Sequence, residues 1–170
     1  MKSVELERTF LAKAVPKGLN AGKEMLDIYI PKSAEHPKLR IRKMGDRFEI
    51  TKKNPVKEGD ASEQIEQTIA LTKEEFDDLS KLEGKRTSKI RYTFDFNGAK
   101  CEVDVLQGSL KGLVIIDFEF KTKKEKDEFR MPDFCLVDVT QEKFLAGGML
   151  CGKKYNDIKE KLEKLGYKPL

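Results

Sequence analysis

Histidine occurs once in these 170 residues, cysteine three times, and no apolar run is long enough to cross a membrane. Each scarcity removes a class of function. The lone His36 stands before Pro37 in a polar, turn-like stretch, with no second imidazole to share a metal or an acid–base site. Cys101, Cys135 and Cys151 lie far apart, with neither metal-ligand nor paired spacing, and read as reduced residues of a cytoplasmic protein. Cys101 shares its parity with Val103 and Val105, as a small core residue would. A membrane helix needs about 20 apolar residues in a row. The opening MKSVELERTF is instead charged and alternating, unlike a signal peptide. An excess of one charge is missing too: 34 basic against 30 acidic side chains leave a net charge of +4, which gives no reason to expect a nucleic-acid partner.

Charge itself is plentiful, at 38% of residues, and equals the hydrophobic share. The length suits one domain with a sizeable core, and no repeat, low-complexity tract or linker divides residues 1–170. The most informative stretch is CEVDVLQGSLKGLVIIDFEF, residues 101–120. Glu102 and Asp104 alternate with Val103 and Val105, and Asp117 and Glu119 alternate with Ile116, Phe118 and Phe120. A period of two puts each acidic pair on one face of a strand. Joined by a turn at residues 108–112, the two pairs stack four carboxylates on one surface, which repels itself unless cations sit in it.

The same alternation runs through most of the chain. Residues 2–13 place Val4, Leu6 and Phe10 opposite Glu5, Glu7 and Thr9, with Arg8 interrupting the apolar side. Further strands are expected over residues 25–30, 38–43, 47–53, 63–71 and 85–96. Their polar faces carry Arg40 and Arg42, then Thr51 and Lys53, then Gln64, Glu66 and Thr68, then Lys89, Arg91 and Thr93. Asn97-Gly98 is a strong hairpin signal and sets a basic row beside the row of Glu102 and Asp104. Helices are expected from Thr72, with a capping box to Glu75 and a stripe of Phe76, Leu79 and Leu82, and over residues 122–130, whose charges read as a solvated face. Residues 133–140 read as irregular or extended, and residues 140–145 and 154–165 as helices, the last stopped by Gly166.

About eight strands with one charged and one apolar face fit either a flat sheet with a wet side or a closed barrel with a charged lumen. A sheet of this many antiparallel strands tends to curl, which favours closure. Sorting by sign gives Arg40, Arg42, Lys53, Lys89 and Arg91 against Glu5, Glu7, Glu66, Glu102, Asp104, Asp117 and Glu119. A ligand of mixed sign, such as a polyphosphate with divalent metals, matches such a lumen.

In order, VELERTF, the RIR of residues 40–42, EITKK ending at Lys53, KIRY at 89–92, EVDV at 102–105 and GLVIIDFEF at 112–120 resemble the CYTH family, the triphosphate tunnel metalloenzymes. The resemblance spans residues 5–140 and leaves 140–170 as a C-terminal helical segment. It implies a mainly β fold of the α+β class: an eight-stranded antiparallel tunnel with helices packed outside. It also implies a triphosphate-containing small molecule as substrate, with Mg2+ or Mn2+ as cofactor. Carried over residue by residue, Glu5, Glu7, Asp104, Asp117 and Glu119 would hold metal. Arg40, Arg42, Lys53, Lys89 and Arg91 would grip phosphate beside Glu66 and Glu102, and Glu7, Lys53 and Glu119 would bear most directly on catalysis. The chain departs from the signature where Thr9 replaces a lysine, Asp117 shortens a glutamate and Gln64 stands where a glutamate is common. The expected activity is hydrolysis of inorganic triphosphate or a triphosphorylated organic compound. The alternatives are a class IV-type adenylate cyclase, which would use the same tunnel, and a non-catalytic polyphosphate or nucleotide binder.

Overall fold

The structure, a computed structural model, describes residues 2–170. Nine strands form one antiparallel sheet among the described residues: β1 (Lys2–Ala12), β2 (Lys23–Ile30), β3 (Leu39–Met44), β4 (Arg47–Pro55), β5 (Glu63–Leu71), β6 (Lys85–Phe96), β7 (Ala99–Leu106), β8 (Val114–Phe120) and β9 (Cys135–Asp138). Their order is β5-β4-β3-β2-β6-β7-β8-β1, and β1 then pairs with β5, so eight strands close into a barrel. Closure decides the choice that the sequence left open. Only the first half of β1 pairs with β5, from Lys2 opposite Gln67 to Leu6 opposite Glu63. The edge freed beyond Leu6 is taken by β9, with Phe10 opposite Asp138, which makes the extended alternative for residues 133–140 the observed one.

The barrel is polar inside and apolar outside. Two clusters of buried side chains coat its outer wall. Phe10, Val103, Ile116 and Phe118 pack with Phe129 and Phe134 on one side, where the Phe118 ring lies 4.5 Å from that of Phe129. Ile28, Ile41, Phe48 and Ile50 lie under Phe76 on the other. Phe76 belongs to α1 (Lys73–Leu79), which starts with the expected Thr72–Glu75 capping box. Leu82 lies past its end and is half exposed, so it contributes no stripe. Helix α2 (Lys123–Glu128) has a second capping box, Thr122 with Glu125. Its Lys126 is buried and donates to Ser62 Oγ at 2.9 Å, so this charge is not part of a solvated face. Asn97 and Gly98 both take positive φ, 53° and 84°, as a two-residue hairpin between right-twisted strands requires.

In the C-terminal segment the helix expected over residues 154–165 is present, whereas the one expected over 140–145 is not. Residues 140–145 hold only a short 3-10 turn (Lys143–Leu145), followed by α3 (Gly147–Leu150) and α4 (Tyr155–Lys164). Two adjacent glycines and a short polar approach favour tight turns over a longer helix. Together these pieces lie across one end of the barrel. Leu145, Leu150, Ile158, Leu162 and Tyr167 pack against Leu11, Leu106, Leu110, Leu113 and Ile115. Gly147 touches Tyr29, Gly148 touches Pro37, and the Tyr167 hydroxyl donates to Gly112 O at 2.8 Å. The segment therefore reaches from β2 and β3 to the β7–β8 turn, and it caps that end.

Candidate active site

Lumen side chains follow from strand parity, and the cap makes one end deep and the other open. At the deep end the charges form a closed network. Asp27 accepts from Arg42 Nε at 2.6 Å and from its Nη2 at 2.8 Å. Asp104 accepts from Arg91 at 2.6 and 2.7 Å and also pairs with Lys89, while Arg91 reaches on to Glu102. Asp27, Arg42, Glu102 and Asp104 are all buried. Burial alone would raise both aspartates, but Arg42 beside Asp27 and Arg91 beside Asp104 hold them well below the usual carboxylate range. Arg40 is different: its Nε is buried with no hydrogen-bond partner among the described residues. Its guanidinium bonds the Tyr29 hydroxyl, and this contact together with Asp27 outweighs burial and keeps it firmly charged. A buried, unsatisfied donor costs about 1–3 kcal/mol, which an anionic oxygen would recover.

Nearer the open end, Lys53 bridges β4 to the carboxylates of Glu5, Glu66 and Glu7, the last two at 3.1 and 3.9 Å. Lys52 is exposed, so the preference for Lys53 in the lumen agrees with the structure. Glu7 lies opposite Glu119, and Glu119 opposite Lys100, so three strands contribute one rung. The next rung is Thr9, Asp117 and Glu102, in which the Thr9 hydroxyl donates to Asp117 at 2.7 Å. Burial, aided by Asp117, Glu5 and Glu119, overcomes Lys53 and raises Glu7 to about 7. Burial and the neighbouring Asp104 raise Asp117 to about 6 against the pull of Arg91. Burial and Glu102 also raise Glu119. Around Glu7, Asp117 and Glu119 the nearby cations do not offset burial and mutual repulsion. Among the described residues, no three carboxylate, imidazole or thiol groups already converge on one cation position. The hard oxygen donors and their uncompensated charge nonetheless fit a divalent metal.

The twelve residues singled out from the sequence thus divide by depth. Arg42, Lys89, Arg91, Glu102 and Asp104 form the floor network with Arg40 beside it. Glu5, Glu7, Lys53, Glu66 and Glu119 line the mouth, and Asp117 lies between. Both oxygens of Asp104, expected among the metal-facing carboxylates, are engaged by Arg91 and Lys89. Gln64 turns aside to donate to Ala61 O at 3.0 Å. Two residues were missed. Asp27 shares its parity with Met25 and Tyr29, and its signal was a lone carboxylate inside a short apolar strand. Lys100 shares its parity with Glu102 and Asp104 and could have been read from the same alternation. The lone His36 lies against Gly148 under the cap, and all three cysteines are buried, free thiols; burial pushes Cys135 up to about 12 and Cys151 to about 11. Outside the barrel, a cavity of about 520 Å³ is lined by Arg8, Ser62, Lys126 and Asp138. Its Arg8 is already paired with Asp138 at 2.5 Å, and Lys126 with Glu63 at 3.1 Å.

No helix among the described residues is long and apolar enough to cross a membrane. No family model matches the chain. An inorganic triphosphatase of Nitrosomonas europaea is 30% identical over 141 residues, which cover 82% of this chain and 91% of that protein. A solved structure of an inorganic triphosphatase superposes with a TM-score of 0.63 at 25% identity, covering 88% of this chain and 95% of that one. A putative adenylate cyclase from Bacillus halodurans shares the fold, with a TM-score of 0.57 at 18% identity over 94% of this chain and 97% of its own. A closed, charge-lined barrel and a relative of this identity over most of both chains place the protein in the CYTH family of triphosphate tunnel metalloenzymes.

Proposed function

We propose that this protein is a metal-dependent triphosphatase that hydrolyses inorganic triphosphate in the lumen of its barrel. The observation that carries the reading is the sorting of charge along the lumen. A floor of paired bases with an unsatisfied guanidinium donor lies behind a mouth whose carboxylates outnumber their cations, Lys53 and Lys100. A phosphate chain lying along this axis would meet Arg40, Arg42, Lys89 and Arg91 at its deep end and Lys53 nearer the mouth. Arginine forks suit pairs of phosphate oxygens, while Lys53 offers a compact charge. The cap closes the deep end, so the chain enters from the mouth. Glu5, Glu7, Asp117 and Glu119 would hold Mg2+ or Mn2+, with Asp104 behind them fixing Lys89 and Arg91. The metal would supply neutralisation of charge on the phosphate oxygens.

Within that frame, water attacks the terminal phosphorus and the phosphoanhydride P–O bond breaks, giving orthophosphate and pyrophosphate. The basic side chains are already in place to offset charge on the transferred group and the leaving oxygen, without reorganising during the reaction. A carboxylate at the mouth would orient the attacking water. The protein should be incubated with tripolyphosphate and, separately, with ATP, with and without Mg2+ or Mn2+, and the products resolved by phosphorus NMR. Metal-dependent orthophosphate release that disappears in Glu7→Ala is the expected result. Cyclic AMP with pyrophosphate from ATP would transfer the protein to the cyclase class. Binding without turnover would make the tunnel a holder of polyphosphate.

A further inference from the structure

The lumen bases differ in how tightly they are held. Side chains of Arg42, Lys89 and Arg91 are 6%, 13% and 14% exposed, and each is fixed by an aspartate. Lys53 is 26% exposed and sits among three glutamates. Lys100 is 48% exposed, on the second residue of β7, just past the Asn97-Gly98 turn at the open end. Its backbone belongs to the rung of Glu7 and Glu119, and its amine lies 3.0 Å from Glu119 Oε1. The same amine leans inward to Glu102 Oε1 at 2.6 Å, in the rung of Thr9 and Asp117. That second rung has two carboxylates and a hydroxyl and no base of its own on β1, β7 or β8. Arg91 reaches its Glu102 from the floor, and Lys100 adds a second cation from the neighbouring rung, on a flexible four-carbon stem with one end in solvent.

We propose that Lys100 is a substrate-contacting residue: its ammonium rests on Glu102 and Glu119 in the unliganded tunnel and passes to a terminal phosphate oxygen when the phosphate chain enters. The inference rests on the triphosphatase reading. The geometry permits the transfer, because Glu102 keeps Arg91 as a partner after the amine leaves. A divalent cation held by Glu7 and Glu119, as the triphosphatase reading requires, would in addition repel the ammonium from Glu119. The stem pivots at the mouth, where an anionic chain first arrives, so the amine also stands in the path of admission.

The test uses Lys100→Met, Lys100→Arg and the double variant Thr9→Lys/Lys100→Met, in full-length protein. Tripolyphosphate affinity is measured by calorimetry in chelator, and kcat and KM are measured with Mg2+. A charge-assisted contact at a half-exposed site predicts about a tenfold loss of affinity and a matching rise in KM for Lys100→Met, with a thermal midpoint unchanged within a few degrees. Lys100→Arg should stay within about threefold of wild type. The Thr9→Lys exchange should recover most of the loss, because residue 9 faces Asp117 and Glu102 in the rung that the amine now serves. Wild-type affinity and KM in Lys100→Met would overturn the proposal and leave the triphosphatase reading intact. So would a loss accompanied by an equal fall in stability that neither arginine nor Thr9→Lys rescues. A wild-type protein that neither binds nor hydrolyses tripolyphosphate would instead overturn the triphosphatase reading, and this inference with it.

Discussion

Asp27→Asn removes one charge and almost no volume from the floor of the tunnel. Arg42 would then be buried without its bidentate acceptor, with Glu49 at 4.0 Å as its nearest remaining carboxylate. Breaking a buried pair in this way costs about 3–5 kcal/mol. Because Glu49 and the lumen water recover part of this, a net loss of about 3 kcal/mol is expected, or about 6–12 °C in Tm for a chain of this size. The sign of the pH dependence gives a second signature. The folded pKa of Asp27 is held below its ordinary 3.8, so its contribution is present above that value and is lost as pH falls through the depressed one. Asp27→Asn should therefore flatten the acid limb of the stability curve. Added tripolyphosphate supplies negative charge to Arg42 and should stabilise the variant more than the wild type. The measurements are urea melts at neutral and acidic pH, with and without the anion. A variant within about 0.5 kcal/mol of wild type would mean that the floor is well hydrated, and the reasoning from buried pairs would fail.

Three further outcomes are expected. Glu7 is raised to about 7 from an ordinary 4.5, so the folded state holds its proton more tightly. Stability in chelator should therefore fall as pH rises between those values; Glu7→Gln should flatten that slope, and Mg2+ should stabilise the wild type more at pH 7.5 than at pH 5 in thermal melts. A Cβ on Gly148 would collide with the carbonyl of Pro37 and lie 2.8 Å from His36. Gly148→Ala should cost about 1–3 kcal/mol and speed amide exchange in residues 143–152 before the barrel strands. Tyr29→Phe removes the hydroxyl that holds Arg40; it should raise KM for tripolyphosphate about tenfold while Tm changes by only a few degrees, and an unchanged KM would take Arg40 out of phosphate binding.

Much of the architecture was legible because strands and their faces are local properties. The bounds of β5 and β6, the Asn97-Gly98 hairpin and the Thr72–Glu75 capping box depend on residues a few positions apart, and all appear as read. All twelve candidate residues rest on the same period of two together with a sign of charge. Asp27 escaped because one carboxylate among Met25, Leu26, Ile28 and Tyr29 looks like an interruption until Arg42 is placed opposite it. Lys100 escaped because a lysine next to a turn has the local pattern of a solvated residue. Its pairing to Glu119 is set by the register of β7 on β8.

The alternating rows by themselves determined that this chain makes antiparallel strands with one charged face, since side-chain direction along a strand is fixed by covalent geometry. Whether that face meets water or encloses a lumen was decided only when β5 paired with β1, a contact between residues about 60 positions apart that no local pattern encodes. Closure turned charges that would be screened on an open sheet into floor pairs and mouth carboxylates with altered protonation, because burial in the barrel weakens solvent screening and each charge feels its neighbours more strongly. The cap is likewise a tertiary outcome: residues 154–165 read only as a helix in sequence, and the apolar rim that the cap covers exists only once the barrel has closed.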